Sequence, residues 1–403
     1  VLAELGRLLL LQNLLPEDIP QGEKLLSGAY NLGGKSSLSK RVRRVWVQHH
    51  VARGNAQQAD RLLDLFSDLD TQFFGYLRAE LRNPFTVGTS QDYKQWLTAF
   101  NKPFLSHGLS PVHLDDSADL RPFDRLATSA SAEEQEQFRD MALVSVILTV
   151  FKPDEERLLT SVKSILSQTW TRLELIIVDD CSGEEFEAIF ARLADLDSRV
   201  KVISLSENRG TYAARNVGYA TSRGDYLTGQ DDDDWSHPER IERQMEFMQN
   251  NPDAIGCRVS AVRCDENLGR VRVGYSPSGQ NASSLLVRRE GYESVGGFLE
   301  ARKAADTEYY YRMMRATGRP IKDLKAPLSI IRVLEGSLSR ADFSPGWKHS
   351  ARRSFRSAYE YWHRSSSRRE LYVAPDGSYP VAVPHRYEIA PTYAQEFDVL
   401  FVG

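Results

Sequence analysis

Three short apolar runs, separated by two amphipathic segments, constrain this chain more than any other feature. Leu143–Val150, Leu173–Val178 and Val200–Leu205 are rich in β-branched and aliphatic residues. The first two read as strands buried on both faces. Between them, Arg157–Gln168 carries Leu158, Leu159, Val162, Ile165 and Leu166 along one side, and Glu184–Leu196 forms a second helix. Strands alternating with helices predict parallel βαβ units, and in such sheets ligands bind beyond the carboxyl ends of the strands.

Acidic residues occur at those ends. Asp179 and Asp180 follow the second run, and Asp231-Asp232-Asp233-Asp234-Trp235 follows the short apolar Asp225-Tyr226-Leu227. Four adjacent carboxylates repel one another, so a cation is their natural counterpart. Hard oxygen donors suit Mg²⁺ or Mn²⁺, and a metal with open positions at a strand end is placed to clamp a diphosphate. A lone acidic run is more often a solvated turn; its position after a strand is what favours a site here. Between the two clusters, Glu207–Gly218 reads as a Gly-containing turn entering a helix, with Arg209 and Arg215 suited to phosphate. Holding the helix against the sheet explains Arg215 and Asn216 equally well on spacing alone.

A chain of 403 residues has room for two or three domains. A net charge of −4 gives no electrostatic case for nucleic acid. Cys181, Cys257 and Cys264 fit neither a zinc site nor a disulfide framework, so a reducing cytoplasm is the expected location. No apolar run is long enough to span a bilayer. Residues 1–140 read as a helical accessory region ending in a polar linker from Asp115 to Glu134. Within it, Arg61–Leu69 has helical apolar spacing, and the basic stretch Lys40–Val47 is a candidate contact for an anionic lipid or a polyanion, although a solvated helix face is the commoner explanation; the region as a whole is a candidate contact for a membrane surface or a protein partner. Gly33-Gly34-Lys35-Ser36-Ser37 lacks the upstream glycine and the preceding strand of a phosphate loop and is rejected as one. The chain begins with Val1 and ends in the apolar Phe397–Val402, expected to be a strand docked on, or opening, a further domain.

Taken in order, these motifs resemble those of the family 2 glycosyltransferases over about residues 144–339. They are the opening strand, Gln168-Thr169, Val178-Asp179-Asp180-Cys181-Ser182, Asn208-Arg209-Gly210 through Gly218, and the acidic run followed by Pro238. Downstream, Ser283–Arg289, Gly296-Gly297-Phe298 and Ala304-Ala305-Asp306 continue the register. The resemblance implies an α/β GT-A fold with a mostly parallel central sheet over 141–340, flanked by the helical region and by a C-terminal helical extension over 341–403. It implies an inverting, metal-dependent hexosyl- or N-acetylhexosaminyltransferase. Thr149, Asp179, Asn208, Arg215, Asp231 and Asp232 fall on donor-binding positions, Asp233 with Asp231 on the Mn²⁺ or Mg²⁺ site, and Asp306 on the catalytic base. Trp235 is a candidate beside the donor sugar and Glu308 an alternative base. The partners implied are a nucleotide-diphosphate sugar, a UDP-sugar being favoured, and a glycan or lipid-linked acceptor, as in bacterial surface polysaccharide synthesis at the inner face of the membrane.

The sequence departs from the family at three places. Val150-Phe151-Lys152 stands where Thr-Tyr-Asn is usual, Ala305 replaces a Glu, and Leu334 stands where some relatives supply a metal-binding His. These departures keep a second class open, a nucleotide-sugar-binding or scaffold module of a larger glycosyltransferase. A nucleotidyltransferase would want a Gly-rich basic loop after the first strand, and Phe151-Lys152-Pro153-Asp154 is not one.

Overall fold

The computed structural model describes residues 1–68, 71–86, 92–117, 119–130, 142–270, 272–334, 342–344, 347–374 and 380–388. The N-terminal part is helical: α1 (Leu2–Gln12), α2 (Asp18–Gly33), α3 (Lys40–Ala52), α4 (Ala56–Leu65), α5 (Thr71–Glu80) and α6 (Tyr93–Leu105). The basic stretch begins α3, which buries Val42, Val45, Trp46 and Val47 and leaves Lys40 and Arg41 exposed. A two-stranded antiparallel pair follows, β1 (Val112–Leu114) with β2 (Leu126–Thr128).

The α/β part comprises β3 (Val144–Val150), α7 (Glu155–Leu166), β4 (Leu173–Asp179), α8 (Glu187–Leu196), β5 (Val200–Ser204), α9 (Thr211–Thr221), β6 (Tyr226–Asp231), β7 (Trp235–Ser236), α10 (Arg240–Asn250), β8 (Gly256–Cys264), β9 (Ser278–Gln280), β10 (Leu286–Arg288), α11 (Arg289–Val295), α12 (Ala305–Thr317) and β11 (Ile321–Arg332). A short antiparallel pair, β12 (Phe343–Ser344) and β13 (Trp347–Lys348), precedes α13 (Ser350–Ser365). No described helix is long and apolar enough to cross a membrane.

The sheet runs in the order β5-β4-β3-β6-β10-β8-β11-β7, with β9 added to β8. β5, β4, β3 and β6 are mutually parallel, as the βαβ pattern predicts. Beyond β6 the sheet is mixed: β10 is antiparallel to both neighbours, and β11 runs parallel to β8. Strand alternation sorts the core onto two faces. Ile147, Ile176 and Val178 face a layer of α9, α12 and α13 side chains that includes Tyr219, Tyr309, Phe355 and Trp362. Val146, Leu148, Leu175 and Ile177 face Leu158, Val162, Phe190 and Met245 of α7, α8 and α10. α9 sits so close that a β-carbon on Gly218 would lie 2.5 Å from Ile147 Cγ2, so only glycine fits there.

One expectation needs correction. The polar stretch expected to be a linker is packed structure through Leu126–Thr128, because its charges find partners. Asp124 is buried against Arg332, and Arg121 pairs with Asp154, Glu156 and Glu266. Residues 131–134 of that stretch, and the C-terminal strand expected at Phe397–Val402, lie outside the described residues.

Candidate donor and acceptor site

Parallel register builds the site. Val150 lies opposite Asp179, and Thr149 lies opposite Asp231. The carboxyl ends of β4, β3 and β6 therefore bring Asp179, Thr149 and Asp231 to one sheet edge. Asp179 is buried and accepts the Ser182 N–H through Oδ1 at 3.0 Å. Asp180 turns the other way and organises the next loop. Its two oxygens accept the N–H groups of Arg209 and Gly210, each at 2.7 Å. Burial raises the Asp180 carboxyl above its ordinary value, partly offset by those two donors. Asn208 donates its amide to the Asp180 carbonyl at 3.2 Å, so this end of its side chain shapes the loop. Gly210, with φ of 83°, then admits the chain to α9. The Thr149 hydroxyl is 2.7 Å from that of Thr211 in the first turn of α9.

Arg215, on the next turn, is buried and donates to Asp231 Oδ1 at 2.6 Å. The structure thus assigns Arg215 a partner that spacing alone left undecided, and commits one Asp231 oxygen to it. Asp232 and Asp233 have no ion-pair partner among the described residues. Burial, then repulsion from neighbouring carboxylates, pushes Asp232 up to about 8 and Asp233 up to about 6. Asp234 is raised too, by burial first, and its Oδ1 accepts the Arg332 N–H at 2.9 Å.

Across a cleft stands α12. Its N-cap is Ala304, in the left-handed conformation at φ 68°. Asp306 is therefore one residue inside the helix, not its cap. Its Oδ1 accepts the Thr307 N–H at 2.7 Å. Asp306 and Arg215 line one cleft together with Tyr219, Gly229, Ser283 and Phe298. Arg215, through its bond to Asp231, thereby connects the donor edge to the cleft that Asp306 lines.

Two candidates go elsewhere. Trp235 is only 3% exposed and packs with Phe104, Val259, Leu328 and Ile330. It anchors the acidic turn to the core and offers no face to a donor sugar. Glu308 is fully buried and pairs with Arg312 Nε and His363 Nε2, both at 2.8 Å. Burial opposes its charge, but these partners prevail and hold its carboxyl below the ordinary range. Arg312 in turn donates to the carbonyls of Val295, Gly297 and Leu371. The Glu308 network fastens α12 to α13 and the Gly296-Gly297 turn, and leaves no free oxygen to act as a base in the cleft.

Sequence reasoning passed over Arg332 as a functional residue, although it contacts Asp233 and Asp234, and passed over Asp124, which holds Arg332. Neither carries a local signal, because the contacts span 98 or more residues.

Residues 145–317 match the family model described as glycosyl transferase family 2. That region is a family 2 glycosyltransferase domain. Its α/β sheet with flanking helices agrees with the expected GT-A architecture. An uncharacterised glycosyltransferase of Haemophilus influenzae is 37% identical over 112 residues, 28% of this chain and 44% of the relative. The succinoglycan biosynthesis protein ExoO of Rhizobium meliloti is 33% identical over 110 residues, 27% of this chain and 30% of the relative. The matched part thus spans less than half the length of these relatives, one of them named for polysaccharide biosynthesis. Among solved structures, a mannosyltransferase of Pyrobaculum calidifontis in complex with GDP-Man and Mn²⁺ is 17% identical, covering 48% of this chain and 58% of that one with a TM-score of 0.38.

The acidic turn also bears on metal. Among the described residues no group of three or more His, Cys, Asp or Glu side chains could hold an ion unaided. Hard, like-charged carboxylates with raised proton affinity and no ion pair nevertheless fit a divalent cation completed by diphosphate oxygens and water.

Proposed function

We propose that the domain transfers a hexosyl or N-acetylhexosaminyl group, with inversion, from a nucleotide-diphosphate sugar to a hydroxyl of a glycan or lipid-linked acceptor. A UDP-sugar is the favoured donor. The observation that carries this reading is Arg215, which donates to Asp231 at the carboxyl edge of the sheet and lines a single cleft with Asp306 of α12. Asp179 accepts hydrogen bonds from the nucleoside, with Thr149 and Asp232 nearby on the donor side. Arg215 holds Asp231 in place and contributes positive charge where the diphosphate departs. Asp233, assisted by the remaining oxygen of Asp231, would hold Mn²⁺ or Mg²⁺, which when bound neutralises leaving-group charge. Asp306 takes the proton of the acceptor hydroxyl as that oxygen attacks the anomeric carbon from the face opposite the leaving group.

Asp306 suits the base role because the helix N-cap is Ala304 and the carboxylate opens on the cleft. The first test is thermal stabilisation by a panel of nucleotide sugars with and without Mn²⁺. A ligand at 100 times its Kd stabilises by about 2.7 kcal/mol. Stabilisation by one donor, strengthened by Mn²⁺ and followed by release of nucleoside diphosphate on adding acceptor, is expected. A panel with no stabilising member would remove the proposal.

A further inference from the structure

We propose that Asp124 is a positioning residue for the acidic turn. It acts through Arg332, so that the helical N-terminal part completes the donor site from outside the matched segment. The inference rests on reading Asp233 as a ligand of the cation. Arg332 ends β11 and its side chain is wholly buried. Its backbone N–H donates to Asp234 Oδ1 at 2.9 Å, and its Nε donates to the Asp233 carbonyl at 2.9 Å. Asp124, whose side chain is 1% exposed, engages the rest of the guanidinium; Nη2 donates to Oδ1, and Nη1 to Oδ2 at 3.4 Å, while Glu266 Oε1 lies 3.7 Å from Nη1. The guanidinium also lies 3.9 Å from the centre of the Phe123 ring.

Asp124 is itself fixed. Arg121 Nε donates to its Oδ2 at 2.6 Å, and Thr160 Oγ to its Oδ1 at 2.8 Å. Thr160 adjoins Ser161, whose hydroxyl donates to the Asp231 carbonyl at 2.8 Å. One turn of α7 thus grips the acidic turn at Asp231 directly, and at Asp233 through Asp124 and Arg332. The charge arrangement explains why a carboxylate is needed at position 124. A guanidinium freed of Asp124 would keep Glu266 3.7 Å from Nη1 and would lie beside Asp233, a carboxylate without an ion pair among the described residues, and its planar fork matches a carboxylate. Asp124 holds that fork away and leaves the Asp233 oxygens to a cation.

The experiment compares wild type with Asp124→Asn and Arg332→Lys in the full chain. Mn²⁺ affinity in the presence of UDP is read from the spectrum of free Mn²⁺ by electron paramagnetic resonance. UDP affinity without metal is read by calorimetry, and folding by circular dichroism. The amide of Asp124→Asn cannot satisfy both Arg121 and Arg332. Lysine at 332 keeps the charge but cannot reach Asp124 and the Asp233 carbonyl together. Partners of metal ligands typically contribute 10- to 100-fold in metal affinity, and a loss of roughly that size is expected in both variants, with metal-free UDP binding unchanged. Wild-type Mn²⁺ affinity in a folded Asp124→Asn protein would overturn the inference, as would an equal loss of UDP affinity with and without metal. If Asp124→Asn does not fold, Arg332→Lys decides by the same criteria. Failure of the wild type itself to bind Mn²⁺ with UDP removes the metal reading and this inference together, whereas unchanged variants beside a binding wild type remove the inference alone.

Discussion

Asp306→Asn separates chemistry from architecture by magnitude. The amide oxygen of asparagine can still accept the Thr307 N–H that Asp306 Oδ1 now accepts at 2.7 Å, and the helix is not capped by this residue. What is lost structurally is one negative charge in the first turn of α12, worth about 0.3–1 kcal/mol through the helix dipole. For a domain of this size that lowers the melting temperature by no more than about 2–4 °C. Loss of a general base costs roughly 10²–10⁴ in rate, or about 2.7–5.4 kcal/mol in barrier. The kinetic effect should therefore exceed the stability effect several-fold. The assay is steady-state release of nucleoside diphosphate at saturating donor and acceptor, beside a melting curve and donor calorimetry. Asp306→Asn should lower kcat and kcat/KM together, with donor affinity intact. Turnover within about threefold of wild type, in a protein that binds donor, would refute the base assignment, since the buried Glu308 offers no substitute.

Other perturbations address the remaining parts. Asp233→Ala should abolish transfer and the Mn²⁺ dependence of donor binding; full turnover in excess chelator would contradict it. Asp179→Ala should weaken nucleoside diphosphate binding by roughly tenfold to a hundredfold, from a charged hydrogen bond of about 1.5–3 kcal/mol, with unchanged calorimetry the opposing result. Glu308→Gln leaves Arg312 buried without its countercharge and should cost about 3–5 kcal/mol of stability in denaturant melts, while the kcat of the folded fraction stays near wild type. Asp232 and Asp233 are raised above the ordinary 3.8, to about 8 and about 6, so the folded state holds protons that the unfolded chain releases. Their contribution to stability is fully present below about pH 4 and is lost as pH rises to about 8, so metal-free melting temperature should fall over that window and Mn²⁺ should restore it; a pH-independent difference between the metal-free and Mn²⁺ curves would count against this.

Much of the α/β part was legible because its signals are local. The runs 143–150 and 173–178 are apolar enough to be strands buried on both faces, and the acidic residues stand where such strands end. Parallel pairing then carries Asp179 and Asp231 to one edge with no further information. The antiparallel half was less legible: β10 has three residues and β7 two, too short to show a period. The polar stretch after Asp115 misled for a different reason. Asp124 and Arg121 look solvated in sequence, and only partners far along the chain, Arg332 and Glu266, make them buried or half-buried. Trp235 misled because a tryptophan beside an acidic motif suggests a ligand contact, whereas its apolar partners Leu328 and Ile330 lie more than 90 positions away.

The position of Trp235 explains how the turn tolerates four carboxylates. Repulsion favours spreading them into solvent, yet burial holds Asp234 and partly holds Asp232 and Asp233. The chain is pinned on both sides. Before the turn, Gln230 donates to Ser161 Oγ at 3.1 Å and to the Asp234 carbonyl at 3.0 Å, and its own oxygen accepts from Arg240 at 3.0 Å. After it, Trp235 enters a core that α6 shares through Trp96, Phe100 and Phe104. Truncating a buried aromatic of this size costs about 3–5 kcal/mol. The helical region therefore contributes twice to the acidic turn, through the apolar contact of α6 with Trp235 and through the Asp124–Arg332 pair. A fragment beginning at residue 142 would lose both, and its turn would be free to open and solvate its carboxylates. Such a fragment should bind Mn²⁺ with UDP more weakly than the full chain even where circular dichroism shows an intact sheet. Equal Mn²⁺ affinity in a folded fragment would show that the acidic turn holds its shape without the helical region.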